Sequence, residues 1–175
     1  PGSVLKLVTA AAAVEELGYT ADTTFEEFLR LMADGRLNLL IGEAHSHIAS
    51  KALLKKYMKA LKQAGYDTLY VEHLFTDLHQ ADLDIFHRTQ HMPDRLKAYL
   101  RAQDRGHMPS HDGNDTYTEV CQAAAKYEIR IRALDCTASY HLKGVSDEAI
   151  SRNEMFSYFA SQVIEADQLA HGPHK

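Results

Sequence analysis

The stretch LNLLIGEAHSH, at residues 37–47, decides the fold class that the sequence predicts. Its first five residues are apolar apart from one Asn, and the run ends at Gly42. Such a run is typical of a strand covered on both faces. An amphipathic helix is predicted over residues 47–64, and an apolar run over residues 68–71 predicts the next strand. Strand, helix and strand in this order indicate a parallel crossover unit.

The rest of the chain continues this alternation. Helices broken at a Met-Pro pair are predicted over residues 77–104, and the capping box of Thr116 and Glu119 begins another helix. Residues 129–134 predict a third strand, and a last helix is predicted from Ser146 onward. The lysines of the helix over residues 47–64 share one face, which we interpret as solvated surface.

These elements predict an α/β fold with a parallel sheet core flanked by helices, a three-layer sandwich. Residues 1–3 are typical of a cloning scar, residues 4–36 predict an N-terminal helical extension, and residues 37–175 form the α/β domain that carries the candidate site. The last predicted helix has no strand after it. We therefore expect a sheet that is incomplete at the C-terminus and a native protein that continues past Lys175 with at least one more strand.

Composition excludes several classes of protein. The 175 residues are 45% hydrophobic and 25% charged, with a net charge of -5, which is the mixture of a globular domain and not of a nucleic-acid-wrapping protein. No apolar run approaches the length of a membrane-spanning helix. We therefore expect a soluble protein. Two cysteines are too few for a disulfide framework and fit a reducing compartment or simple burial, and 11 histidines point to metal or proton chemistry.

Candidate chemistry collects at the predicted strand ends. Glu43 and His45 follow the first strand, Glu72 follows the second, and Asp135 follows the third. Because ligands bind outside the carboxyl ends of parallel strands, we expect these four side chains around one pocket. Carboxylates and imidazoles together can run acid–base catalysis or hold a divalent metal, for which Glu43, His45 and Glu72 are the predicted ligands.

Arg152 is the fifth candidate. It shares a helical face with Phe156, Phe159 and Val163, and a buried guanidinium requires an anion. We predict that Arg152 forms a bidentate pair with Asp135 or with Glu43, or that it binds an anionic group of a substrate.

The Gly42-Glu43-Ala44-His45 segment, with Glu72 and Arg152 in order behind it, resembles a superfamily that joins erythromycin esterases, haem-uptake ChaN-like proteins and the TraB and Tiki families. Related domains occur in large bacterial toxins. The resemblance covers about residues 37–165 and implies an α/β sandwich with its pocket at the strand ends. Members carry a second Gly-x-x-His after a further strand, and this sequence lacks that motif. The methionine that follows the arginine in members stands one position early here, as Met155.

The resemblance leaves more than one function open. It implies a hydrolase, an esterase or a metal-dependent protease, in a toxin or secreted effector that acts on a small-molecule or peptide substrate in a host cytoplasm. The alternative is a module that binds haem or another metal without turnover.

Overall fold

The sheet consists of two parallel strands, β1 (Thr68–Phe75) and β2 (Arg130–Asp135). In a computed structural model of the chain, the described residues are 24, 25, 27, 29, 30, 38–43, 47–107, 114–140 and 148–175. Both strands were predicted, and β1 runs four residues beyond its predicted end at residue 71. The fold is mixed α/β with a small sheet of two described strands, and the three-layer sandwich that the sequence predicted is not confirmed.

The predicted helices of the α/β region are confirmed. The left-handed Gly65 (φ +87°) follows the first of them, and the side chain of Thr116 accepts a hydrogen bond from the Glu119 amide at the start of the fourth. The break at the Met-Pro pair separates the second from the third. These helices are α1 (Ala49–Gln63), α2 (Thr76–Thr89), α3 (Asp94–His107), α4 (Tyr117–Lys126) and α5 (Glu148–His171).

The hydrophobic core lies on one face of the sheet. Ile131 and Ala133 of β2 are buried there against apolar side chains of α1, α2, α3 and α4. The alternate residues of β2, Arg130 and Arg132, point to the opposite face, where they contact α5. Helix α5 therefore covers the second face of the sheet through charged side chains.

The predicted first strand is wrong for residues 38–41, the part of it that is described. These residues adopt no regular structure and pair with neither β1 nor β2. Leu39 packs against the core, whereas Leu40 is 57% exposed. The apolar run is thus covered on one side only, and it lacks the second packing layer that the strand prediction assumed.

The end of β1 is irregular. Val71 pairs with Ala133 and Phe75 pairs with Asp135. Between these two pairs β1 advances by four residues while β2 advances by two. Such bulges re-aim side chains next to functional sites. Here the irregular segment contains Glu72, which is exposed, and His73, which is largely covered.

Of the predicted N-terminal extension, only five residues between 24 and 30 are described. Thr24 and Glu27 form the reciprocal hydrogen bonds of a capping box. None of the described helices is long and apolar enough to cross a membrane.

Candidate functional site

Glu43 lies at the centre of a polar group at the carboxyl end of β1. Its Oε1 atom is 2.6 Å from the ammonium of Lys51 and accepts a hydrogen bond from the Tyr117 hydroxyl. Nε2 of His73 is 3.7 Å from the same oxygen. Residues from the coil before α1, from α1 itself, from α4 and from β1 therefore meet at one carboxylate. We call these four residues the Glu43 cluster.

The Glu43 cluster keeps its carboxylate ionised. Burial by itself would raise the pKa of Glu43, but the nearby imidazole of His73 and the hydrogen bonds from Lys51 and Tyr117 outweigh it and hold that pKa well below the ordinary range. Burial and the bond to Glu43 raise the pKa of the Tyr117 hydroxyl. Tyr117 therefore stays protonated and remains a donor at neutral pH.

Helix α4 presents Tyr117 to the cluster because its first turn is held from two sides. Thr116 caps the helix, and the Asp104 carboxylate of α3 accepts hydrogen bonds from the Tyr117 amide (2.8 Å) and the Thr118 hydroxyl (2.6 Å). A carboxylate at a helix N-terminus also interacts favourably with the helix dipole. The helix start that carries the Tyr117 ring is therefore held in place independently of the contact between this ring and Glu43.

The imidazole of His73 lies inside the Glu43 cluster, and that of His107 adjoins it. The His73 ring lies 4.9 Å from the Tyr117 ring and 5.5 Å from the His107 ring, measured between centroids. The hydroxyl of Tyr99 donates to the carbonyl of His73 at 2.8 Å, which fixes the backbone at the irregular end of β1. His73 is thus packed, oriented and close to a permanent anion, as an acid–base histidine requires.

Asp135 forms a second group at the end of β2. Its fully buried carboxylate accepts hydrogen bonds from the Cys136 amide and the Ser139 hydroxyl, and Nη2 of Arg152 lies 3.3 Å away. The guanidinium also stacks on the Tyr140 ring at 4.3 Å and donates to its hydroxyl. The predicted acidic partner of Arg152 is confirmed as Asp135, but the contact uses one nitrogen instead of the bidentate fork.

The structure distributes the predicted site residues unevenly. Glu43 and Asp135 have different contact partners, and their groups are linked through Tyr99, which bonds to the His73 carbonyl, and Phe75, which contacts the rings of Tyr99 and Tyr140. Glu72 is exposed in the irregular part of β1, and its charge lies close enough to the Glu43 cluster to help raise the pKa of the Tyr117 hydroxyl. His45 falls outside the described residues.

Lys51 and Tyr117 are the residues that sequence reasoning missed. Helical spacing placed Lys51 on a solvated face, yet it is only 2% exposed. Tyr117 is predicted as the first residue of the helix that the capping box of Thr116 and Glu119 begins. No local signal distinguishes Lys51 from the other lysines of α1, since its burial depends on Glu43 and Tyr117 from elsewhere in the chain.

The predicted metal ligands fit a divalent cation only in part. Lys51 and Tyr117 occupy Oε1 of Glu43, and a metal there would lie beside a fixed ammonium. Within the described ranges, no three His, Cys, Asp or Glu side chains are grouped closely enough to hold a metal ion. The metal site at Glu43, His45 and Glu72 stays a prediction.

Comparison with known proteins identifies the chain's relatives. Over 118 residues it is 32% identical to a multifunctional-autoprocessing repeats-in-toxin protein of Vibrio vulnificus, a match that takes in 67% of this chain and 2% of the toxin. The crystal structure of RRSP, a MARTX toxin effector domain from the same species, superposes with a TM-score of 0.67 at 27% identity, covering 82% of this chain and 27% of that one. The chain is similar to a toxin effector domain.

This similarity supports a bacterial toxin effector domain. It agrees with the expectation of a toxin or effector domain, while the link to the erythromycin esterase, ChaN-like, TraB and Tiki families stays a resemblance. No protein-family model matches the chain. The chain spans about a quarter of the solved effector and a small fraction of the toxin, so its similarity concerns one part of each.

Proposed function

We propose that the chain is a hydrolase domain of a bacterial toxin effector and that it cleaves an ester or peptide bond. The observation that carries this proposal is the Glu43 cluster, in which a carboxylate held ionised lies beside a packed imidazole. Paired acid and imidazole groups of this kind activate water or another nucleophile. Similarity to a MARTX toxin effector domain supports the toxin context.

Glu43 is suited to orient and stabilise rather than to carry the proton. A carboxylate whose pKa is held far below neutrality is a weak base, and efficient proton transfer needs a group that titrates near the operating pH. Histidine is such a group. We therefore assign the proton to His73 or His45, and we assign to Glu43 the stabilisation of the imidazolium that forms.

The proposed reaction is addition of water to a carbonyl group. The imidazole takes a proton from water as the water oxygen bonds to the carbonyl carbon, and it returns that proton to the leaving oxygen or nitrogen as the ester or peptide bond breaks. Arg152, held by Asp135 and Tyr140, orients an anionic group of the substrate. The substrate is a small molecule or peptide of the host cell.

Glu43→Gln tests the proposal. Glutamine keeps the size of the side chain but removes the anion, so turnover in a screen of ester and peptide substrates should fall by about a hundredfold or more. The matched control is Glu154→Gln, which neutralises an exposed carboxylate on α5 and should keep full activity.

Metal analysis of the same preparation distinguishes a metal-dependent hydrolase from a module that binds metal or haem without turnover. Bound metal together with loss of turnover in a chelator would support the metal ligands Glu43, His45 and Glu72. Stoichiometric metal or haem in a protein that turns over no ester or peptide would contradict the hydrolase and favour the binding module.

A further inference from the structure

Lys51 is a lysine in an unusual place. It lies in the first turn of α1 and is 2% exposed. Its ammonium is 2.6 Å from Oε1 of Glu43, donates to the carbonyl oxygen of His47 at 2.9 Å, and lies 4.5 Å from the centre of the Tyr117 ring. One cation therefore contacts a side chain before the helix, the backbone at its entrance and an aromatic face of α4.

Burying a lysine so completely is unfavourable unless its charge is compensated. Lysine is almost never fully buried when unpaired, and removal of an ammonium from water carries a large desolvation penalty. Here a carboxylate, a carbonyl dipole and the face of a tyrosine ring offset that penalty. Other lysines of α1 remain at the surface, among them Lys56 and Lys59.

We propose that Lys51 is a positioning residue that holds the Glu43 side chain and the His47 backbone in a fixed relation. Both partners of its ammonium belong to the segment that carries Gly42, Glu43 and His45, four to eight residues before it. That segment has no regular structure at residues 38–43, so no ladder of backbone hydrogen bonds holds Glu43 in place. The ammonium supplies the anchor instead.

The inference rests on the proposed function only for its effect on turnover, since the anchoring itself is a structural statement. A positioning residue must hold its partner to within a fraction of an ångström, because a small displacement of a reacting group lowers the rate by a large factor. Loss of Lys51 should therefore lower kcat with little change in KM.

The test uses Lys51→Met, which keeps an unbranched side chain of similar length but removes the charge, with Lys59→Met as the matched control. We expect the backbone amide order parameters at residues 42, 43, 47 and 48 to fall from the values of rigid backbone, about 0.85, towards those of flexible segments, below about 0.6, in Lys51→Met, while the strands and α4 keep theirs. The Lys59→Met variant should keep the order parameters of the unaltered chain. Unchanged order parameters at residues 42, 43, 47 and 48 in Lys51→Met would overturn the proposal.

A double variant guards against a purely structural explanation. Lys51→Met alone removes the ammonium that compensates the Glu43 carboxylate at 2.6 Å, so Lys51→Met combined with Glu43→Gln should unfold less readily than the sum of the two single changes predicts. Turnover should nevertheless stay lost in the double variant. Additive effects on unfolding would show that Lys51 does not act on Glu43. Absence of turnover in the unaltered chain would refute the hydrolase proposal and leave the order-parameter result standing.

Discussion

At the residue scale, the pairing of Arg152 shows how a single side chain joins a helix to the end of a strand. The guanidinium contacts Asp135 through one nitrogen and lies over the Tyr140 ring, and its side chain is 27% exposed. A lysine could keep the charge near Asp135. It has no planar guanidinium, however, and so could neither stack on the Tyr140 ring nor bind two partners with a planar fork.

Arg152→Lys should therefore affect function more than stability. We expect the free energy of unfolding to fall by about 1 kcal/mol or less, because the pair is partly solvated. Turnover should fall by about tenfold or more if Arg152 orients a substrate anion, since each 1.4 kcal/mol of lost transition-state binding is a factor of ten. Thermal unfolding and steady-state kinetics measure the two quantities. Equal turnover in the lysine variant would show that Arg152 only joins the helix to the strand.

At the scale of the element, α5 is held by a buried acid. Asp167 is 2% exposed, and its carboxylate lies within 3.3 Å of nitrogens of Arg130 and Arg132, of the Tyr70 hydroxyl and of Nε2 of His174. Val163, one turn earlier on the same face, is buried as well. The second half of α5 therefore docks through one saturated carboxylate as well as through its apolar residues.

Asp167→Asn should loosen α5 specifically. The amide keeps the shape but leaves Arg130 and Arg132 without a charge partner, and we expect a loss of about 2 kcal/mol. This is below the usual range for a fully buried pair because both arginines are partly solvated. Urea unfolding gives the free energy, and Glu165→Gln on the exposed side of α5 is the control. A loss no larger than that of the control would argue against docking by Asp167.

At the scale of the whole molecule, depressed carboxyl pKa values make the fold sensitive to acid. Burial opposes ionisation of Asp167, but Tyr70, Arg130 and Arg132 outweigh it and lower its pKa, and the pKa of Glu43 is lowered in the same sense. A group whose pKa is lower in the folded state contributes stability above its unfolded pKa and loses it as pH falls.

We therefore expect the unfolding temperature to be nearly constant above about pH 6 and to fall below about pH 5, as these carboxylates are protonated. Circular dichroism melts across that range measure it. The Asp167→Asn variant should be less stable at neutral pH and should lose less stability on acidification. Parallel acid profiles for the two proteins would contradict the assignment.

Local patterns in the sequence determined the helices, both strands of the sheet and the pairing of Arg152. Capping boxes, glycine caps and apolar periodicity act over a few residues, so they survive without knowledge of the rest of the chain. The same patterns predicted Asp135 at the end of β2 and Glu43 as a candidate site residue.

Tertiary structure alone decided the rest. Residues 38–41 are apolar enough for a strand, but among the described residues they pair with no strand and Leu40 is exposed, and Glu72 follows an apolar run that proves to be only the first half of β1. Lys51 is buried because Glu43 and Tyr117 compensate its charge from positions 8 and 66 residues away in the sequence. Charge compensation depends on distance in space, and sequence spacing along one helix carries no information about it.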